Sequence, residues 1–106
     1  MDIAFNSDFQ INIGFVDDDK LPIGIPDYDF VISYFVFRDS EHKVIQHDGV
    51  ITNGSIVDGQ LVTYVNAGTL GRGRLFRRTT LMIPDLHYPD GIRDITYEEY
   101  TGINIV

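Results

Sequence analysis

The chain has 106 residues, of which 43% are hydrophobic, and its formal net charge is −8. This length suits one domain, residues 1–106, with one modest core. The negative charge argues against a nucleic-acid binder held by phosphate contacts, and the absence of cysteine excludes disulfides and thiolate metal sites. No apolar run approaches the ~18 residues that are needed to span a bilayer, so we expect no membrane partner.

The first half of the chain shows the period of two that is typical of strands. Residues 9–15 (FQINIGF) alternate between apolar and polar or small side chains, which predicts a half-buried strand, and the acidic residues 17–20 (DDDK) predict a turn. Residues 29–37 (DFVISYFVF) are apolar on both faces and predict a central strand covered on two sides. A polar turn is expected at residues 38–42, followed by a short strand at residues 43–46.

The second half contains the strongest hairpin signal of the chain. Asp58-Gly59 lies between two strand-like runs, and a type I′ turn needs positive φ at both central residues. Residues 73–83 predict another strand, and residues 92–97 predict a strand that a polar turn at residues 98–102 separates from a closing strand at residues 103–106. No window has helical periodicity. About seven strands in this length indicate a β-sandwich or a small barrel.

The order of these features resembles the immunoglobulin-like domain at the N-terminus of siphophage upper baseplate proteins and of related head- and tail-decoration proteins. The resemblance lies in the opening strand, the acidic turn, the proline-containing connection, the Asp-Gly hairpin and the strand entry GTLGRGRL at residues 68–75. The closing segments IPDLHYPDG and YTGINIV are similar to segments of small structural proteins from crAss-like phages that infect Bacteroides.

The resemblance implies an all-β, immunoglobulin-like antiparallel β-sandwich of about seven strands. It also implies a non-enzymatic virion structural protein: a head fibre, a capsid decoration, a tail adaptor or a baseplate-type attachment module. Such a protein is made in the host bacterial cytoplasm, has no cofactor and ends up in the virion. Because the chain ends with the domain and lacks a receptor-carrying extension, we expect a small stand-alone component rather than a complete baseplate fibre.

Two groups of residues are candidates for an interface. Residues 1–66 hold 3 basic and 11 acidic residues, whereas residues 67–106 hold 5 of each, so an arginine cluster follows an acidic body. Tyrosine is enriched at protein interfaces, and the closing strand is apolar. The predicted interface residues are therefore Arg72, Arg74, Arg77, Arg78, Tyr97, Tyr100, Ile103 and Ile105. Pairing of these arginines within the chain, with Asp85 or Glu98, is the alternative.

The expected partners are other copies of the chain, as a homotrimer or a dimer, and other virion proteins; a host-surface glycan is a further candidate. A second function stays open, namely a monomeric carbohydrate- or ligand-binding sandwich that uses a tyrosine-lined groove.

Metal and catalytic sites are not expected. Three successive carboxylates at residues 17–19 lack the alternate spacing of a calcium loop. Asp85, His87 and Asp90 share one loop, but a single histidine between carboxylates is typical of surface hydrogen bonding. No serine or threonine occurs in the context of a catalytic nucleophile, so no catalytic residue is predicted.

Overall fold

The protein is described here by a computed structural model that covers residues 1–37 and 41–106. The described residues form strands, turns and loops and contain no helix that could cross a membrane. The strands are β1 (Asp2–Ile3), β2 (Phe9–Ile13), β3 (Phe15–Val16), β4 (Pro22–Ile23), β5 (Phe30–Val36), β6 (Glu41–His47), β7 (Val50–Thr52), β8 (Gly54–Val57), β9 (Gln60–Val65), β10 (Gly73–Pro84) and β11 (Ile92–Ile105).

The strands are arranged in a sandwich of a large and a small sheet. The large sheet has six strands in the order β1-β11-β10-β5-β6-β7, and the small sheet has three in the order β2-β9-β8. A separate two-stranded hairpin consists of β3 and β4. All neighbouring strands are antiparallel except β1 and β11, which are parallel. The predicted all-β sandwich is therefore confirmed at the level of fold class.

The core lies between the sheets and is formed by alternate residues of the central strands. In β5, Phe30, Ile32 and Tyr34 are fully buried, whereas the intervening Val31 and Phe35 are half-buried on the outer face. Leu61 and Val65 of β9 face them from the small sheet and join the same apolar cluster. Burial of such side chains contributes about 1.5–3 kcal/mol each, and this drives the association of the sheets.

The described residues form eleven strands where about seven were predicted for the chain, because several are only two or three residues long. Gly14 interrupts the predicted strand at residues 9–15, which becomes β2 and β3. The predicted turn at residues 38–42 lies partly outside the described residues; Glu41 and His42 belong to β6.

The predicted turn at residues 98–102 is wrong. These residues continue β11, a single strand of 14 residues that pairs with β10 along its length. A bulge interrupts the register between Arg74 and Phe76, and Gly102 takes a φ of 83° on the opposite strand. The polar residues Glu98 and Glu99 remain in the strand because each lies opposite an arginine of β10.

Candidate functional site

The four predicted arginines occupy three different environments. Arg72 precedes β10, and its guanidinium lies 4.6 Å from the ring centroid of Phe5. Within β10, Arg74 and Arg78 lie on the outer face of the large sheet, whereas Arg77 shares the inner face with the buried Leu75. The period of two along β10 thus distributes the arginines over both faces of the sheet.

The outer face carries a row of aromatic rings across three strands. Phe35, Phe76 and Tyr100 follow one another on β5, β10 and β11, with centroid distances of 5.9 Å and 5.7 Å. Arg74 lies 5.8 Å from the Tyr100 ring, and Arg78 lies 4.7 Å from the Phe35 ring. Guanidinium groups at such distances are attracted by the negative faces of the rings. The row therefore holds both arginines against the sheet.

Arg78 is also paired with two carboxylates. Its Nε lies 2.7 Å from Oε1 of Glu98, and its Nη1 lies 3.0 Å from Oε1 of Glu41. The hydrogen bond to Glu98, followed by the charges of both carboxylates, raises the pKa of Arg78. The sequence-based alternative, in which Glu98 pairs with an arginine of its own chain, is confirmed for this residue.

Arg77 begins a polar network that crosses the core. Its Nε donates to Oε1 of Glu99 at 3.0 Å, and Nη2 binds the same oxygen. Burial opposes the charge of Arg77, but the hydrogen bonds and charge of Glu99 outweigh it, so the pKa of Arg77 is raised. Arg77 also interacts with the buried hydroxyl of Tyr34, which lies 3.1 Å from Oγ1 of Thr63. Thr63 in turn donates to the carbonyl of Ile11 at 3.0 Å, so the network joins both sheets.

A cleft of about 480 Å³ lies at the end of this network that is formed by Arg77 and Glu99. Its wall on the large sheet consists of inner-face residues of β10 and β11, including the Arg77–Glu99 pair and Tyr97. The β3–β4 hairpin covers it from the other side, and Tyr28 belongs to the connection that follows this hairpin. Ile13, the last residue of β2 in the small sheet, also lines the cleft, and the chain then continues through Gly14 into β3. The cleft thus lies where the small sheet gives way to the β3–β4 hairpin as cover of the inner face.

The remaining predicted interface residues are separated by the alternation of β11. Tyr97 lines the cleft, whereas Tyr100 belongs to the outer aromatic row. Ile105 is only 4% exposed, and Ile103 packs against the core. The apolar pattern of the closing strand therefore reflects packing within the chain. The interface role of all eight predicted residues stays a prediction.

The edge of β11 is open over most of its length. In the described structure β1 pairs with β11 at Asn104 and Ile105, while residues 92–101 have a strand neighbour on the β10 side only. The amide of Asp85 donates to the carbonyl of Gly91, and hydrogen-bonded pairs recur at every second residue of an antiparallel hairpin. The odd-numbered residues of β10 and β11 therefore exchange backbone hydrogen bonds with each other. The amides of the even-numbered residues Asp94, Thr96, Glu98 and Tyr100 consequently point to the open edge. At about 3.4 Å per residue the ten residues extend over roughly 34 Å.

The residues considered as metal ligands stabilise turns. The Asp17 carboxylate accepts hydrogen bonds from the amides of Asp19 and Leu21, both at 2.9 Å. The Asp85 carboxylate binds the amide and ring of His87, and these contacts lower the pKa of Asp85. Within the described part of the chain, no three acidic or histidine side chains converge as metal ligands.

The sequence identified Glu98 as a possible arginine partner, but it did not identify three other residues of the two faces of the large sheet. These are Glu99, Phe35 and Phe76. The two glutamates could have been recognised from their positions in the sequence. Arg77-Arg78 and Glu98-Glu99 lie the same number of residues before and after Tyr88, the centre of the connecting loop, so the two pairs face each other in the hairpin.

Comparison of the chain with known protein families, curated proteins and solved structures finds no match.

Proposed function

We propose that this chain is a non-enzymatic structural protein of a phage virion, which acts by self-association and by docking to other virion proteins. The open edge of β11 is the observation that supports self-association. The assignment to a phage head fibre, capsid decoration or baseplate-type module is supported by the sequence resemblance, and the comparisons add no relative to it.

An open edge favours association because its amides and carbonyls can extend a sheet into a second chain. Each chain offers one such edge on β11, and antiparallel pairing of two copies makes a closed, two-fold symmetric contact. This geometry favours a dimer over the homotrimer that a fibre would need. The charged residues Arg93, Asp94, Glu98 and Glu99 border the edge and limit unspecific pairing.

The loop between β10 and β11 supplies a second contact surface, suited to a different virion protein. Leu86 at its tip is 96% exposed, and Tyr88 is 46% exposed. The loop is nevertheless ordered by its own hydrogen bonds, since Asp85 N donates to Gly91 O and Gly91 N donates to Tyr88 O, both at 2.9 Å. An apolar side chain held outward on a fixed loop is suited to insertion into a pocket of a partner.

Light scattering coupled to size exclusion tests self-association. We expect a mass near twice 12.0 kDa, and a larger dimer fraction at higher ionic strength because salt screens the repulsion between two chains of charge −8. Thr96→Pro removes an edge amide that β10 does not use and should give a monomer. Thr96→Val is the matched control, because it loses the same hydroxyl contact to Thr80 but keeps the amide.

A wild-type monomer at all concentrations would contradict self-association, and a Thr96→Pro dimer would exclude the β11 edge as its interface. The virion assignment needs a separate measurement. Antibodies against the purified protein should detect it in gradient-purified phage particles at a fixed ratio to the major capsid protein, and its absence from particles would exclude the virion role.

A further inference from the structure

We propose that the cleft between the inner face of β10–β11 and the β3–β4 hairpin is a binding site for a neutral saccharide. Its volume of about 480 Å³ falls within the roughly 300–1,000 Å³ typical of small-molecule sites. The cleft lies within one chain, so this inference does not depend on the assembly proposed above.

The polar end of the cleft offers donors and acceptors side by side. Both hydrogen bonds of the Arg77–Glu99 pair go to Oε1 of Glu99. Among the described residues, Oε2 of Glu99 has no hydrogen-bond donor, and the Glu99 side chain is 47% exposed to the cleft and solvent. A sugar hydroxyl can donate to this carboxylate oxygen while a neighbouring hydroxyl accepts from the guanidinium.

The pairing of the two charges selects against ionic ligands. A ligand carboxylate or phosphate would compete with Glu99 for Arg77, and a ligand ammonium would compete with Arg77 for Glu99. A hydroxylated, uncharged ligand can use both groups without breaking the pair. Lys20 also lines the cleft and is a further cation. If Lys20 rather than the Arg77–Glu99 pair determined the selectivity, the cleft would prefer acidic sugars.

The apolar walls of the cleft are complementary to the C–H face of a sugar ring. Tyr28 and Tyr97 line it, and a tyrosine ring gives apolar area for the C–H face of a pyranose while its hydroxyl stays polar. Phe15, Ile23 and Leu81 add apolar surface. A ligand with one apolar face and a rim of hydroxyls is complementary to this combination, whereas a wholly apolar ligand would leave the charged pair desolvated.

The test is a titration of the ¹⁵N-labelled protein, followed by amide NMR shifts. The probes are glucose, galactose, mannose, N-acetylglucosamine, lactose and maltose, with glucuronate as the acidic probe. We expect saturable shifts for at least one neutral probe, concentrated at residues 13–16, 77–81 and 97–99. Absence of saturable shifts with all neutral probes, shifts that map elsewhere, or saturation by glucuronate alone would overturn the proposal.

Two pairs of variants test which residues bind. Glu99→Gln removes a charged acceptor and should weaken binding about tenfold, whereas Glu98→Gln makes the same change on the outer face and should leave affinity unchanged. Tyr97→Ala should also weaken binding, whereas Tyr64→Ala, an exposed tyrosine of the small sheet, should not. Amide spectra of the free variants verify folding, so loss of binding in a folded Tyr97→Ala variant supports the site even if Glu99→Gln is unstable. Equal affinity in all four variants would overturn the proposal.

Discussion

Glu98 and Glu99 are neighbours of the same residue type that pair with neighbouring arginines on opposite faces of one sheet. Replacing either glutamate by glutamine removes one negative charge and preserves the shape of the side chain. The main difference between the two variants is therefore how deeply the arginine partner is buried. The Arg77 side chain is 20% exposed, whereas that of Arg78 is 37% exposed and has Glu41 as a second partner. We therefore expect Glu99→Gln to destabilise the protein more than Glu98→Gln.

The magnitude follows from the contacts of Arg77. Hydrogen bonds that involve a charged group contribute about 1.5–3 kcal/mol. Because Glu99 is 47% exposed, solvent screening reduces this, and we expect Glu99→Gln to lower the free energy of unfolding by about 1–2 kcal/mol. In a domain of this size that corresponds to a melting temperature lower by roughly 5–10 °C.

Urea unfolding at neutral pH, followed by circular dichroism, measures both variants. Equal losses for Glu98→Gln and Glu99→Gln, or a larger loss for Glu98→Gln, would refute the argument from burial. The double variant Arg77→Met/Glu99→Gln is the control for the charge itself. It should lose less stability than the two single variants together, because it leaves no partly buried guanidinium without its carboxylate.

Two further predictions concern a turn and a histidine. Gly59→Ala forces a side chain onto a φ of 75° and should lower the free energy of unfolding by about 1 kcal/mol, whereas Gly24→Ala, at a position with open space and no positive φ, should be neutral in the same urea assay. Burial lowers the pKa of His42 in the folded state. The unfolded chain then binds the proton more readily, so stability should fall as pH drops from about 8 to about 5. His42→Gln should flatten this dependence, and an unchanged slope would contradict the assignment.

The strands that pack centrally were predictable because their patterns are local. Residues 29–37 are apolar on both faces, and β5 lies between β10 and β6 with the alternate side chains of its inner face fully buried. The predicted cover on the second face is not found in the described structure, where Val31 and Phe35 are half-buried. The Asp58-Gly59 turn is likewise determined by its two residues, which take φ values of 52° and 75°. Each of these features depends on the conformational preferences of a few neighbouring residues.

The candidate site was not predictable in this way because its parts come from distant segments. Glu98-Glu99 reads locally as a polar turn, and only the opposite Arg77-Arg78 makes it part of a strand. The cleft depends on where the β3–β4 hairpin lies over the large sheet, and strands of two residues give no periodic signal. The edge of β11 is open because β1 pairs only with residues near its end. The neighbours of a strand in a sheet are not encoded in its local sequence pattern.

The two proposed activities of β11 use different groups of the same strand. Odd-numbered residues direct side chains such as Tyr97 and Glu99 into the cleft, while even-numbered residues such as Thr96 direct their amides to the open edge. Thr96→Pro should therefore abolish association without removing a side chain from the cleft, and Glu99→Gln should weaken saccharide binding without removing an edge amide. If either variant, while still folded, lost both association and saccharide binding, the cleft and the edge would act as one site. The alternation of β11 would then not separate the two activities.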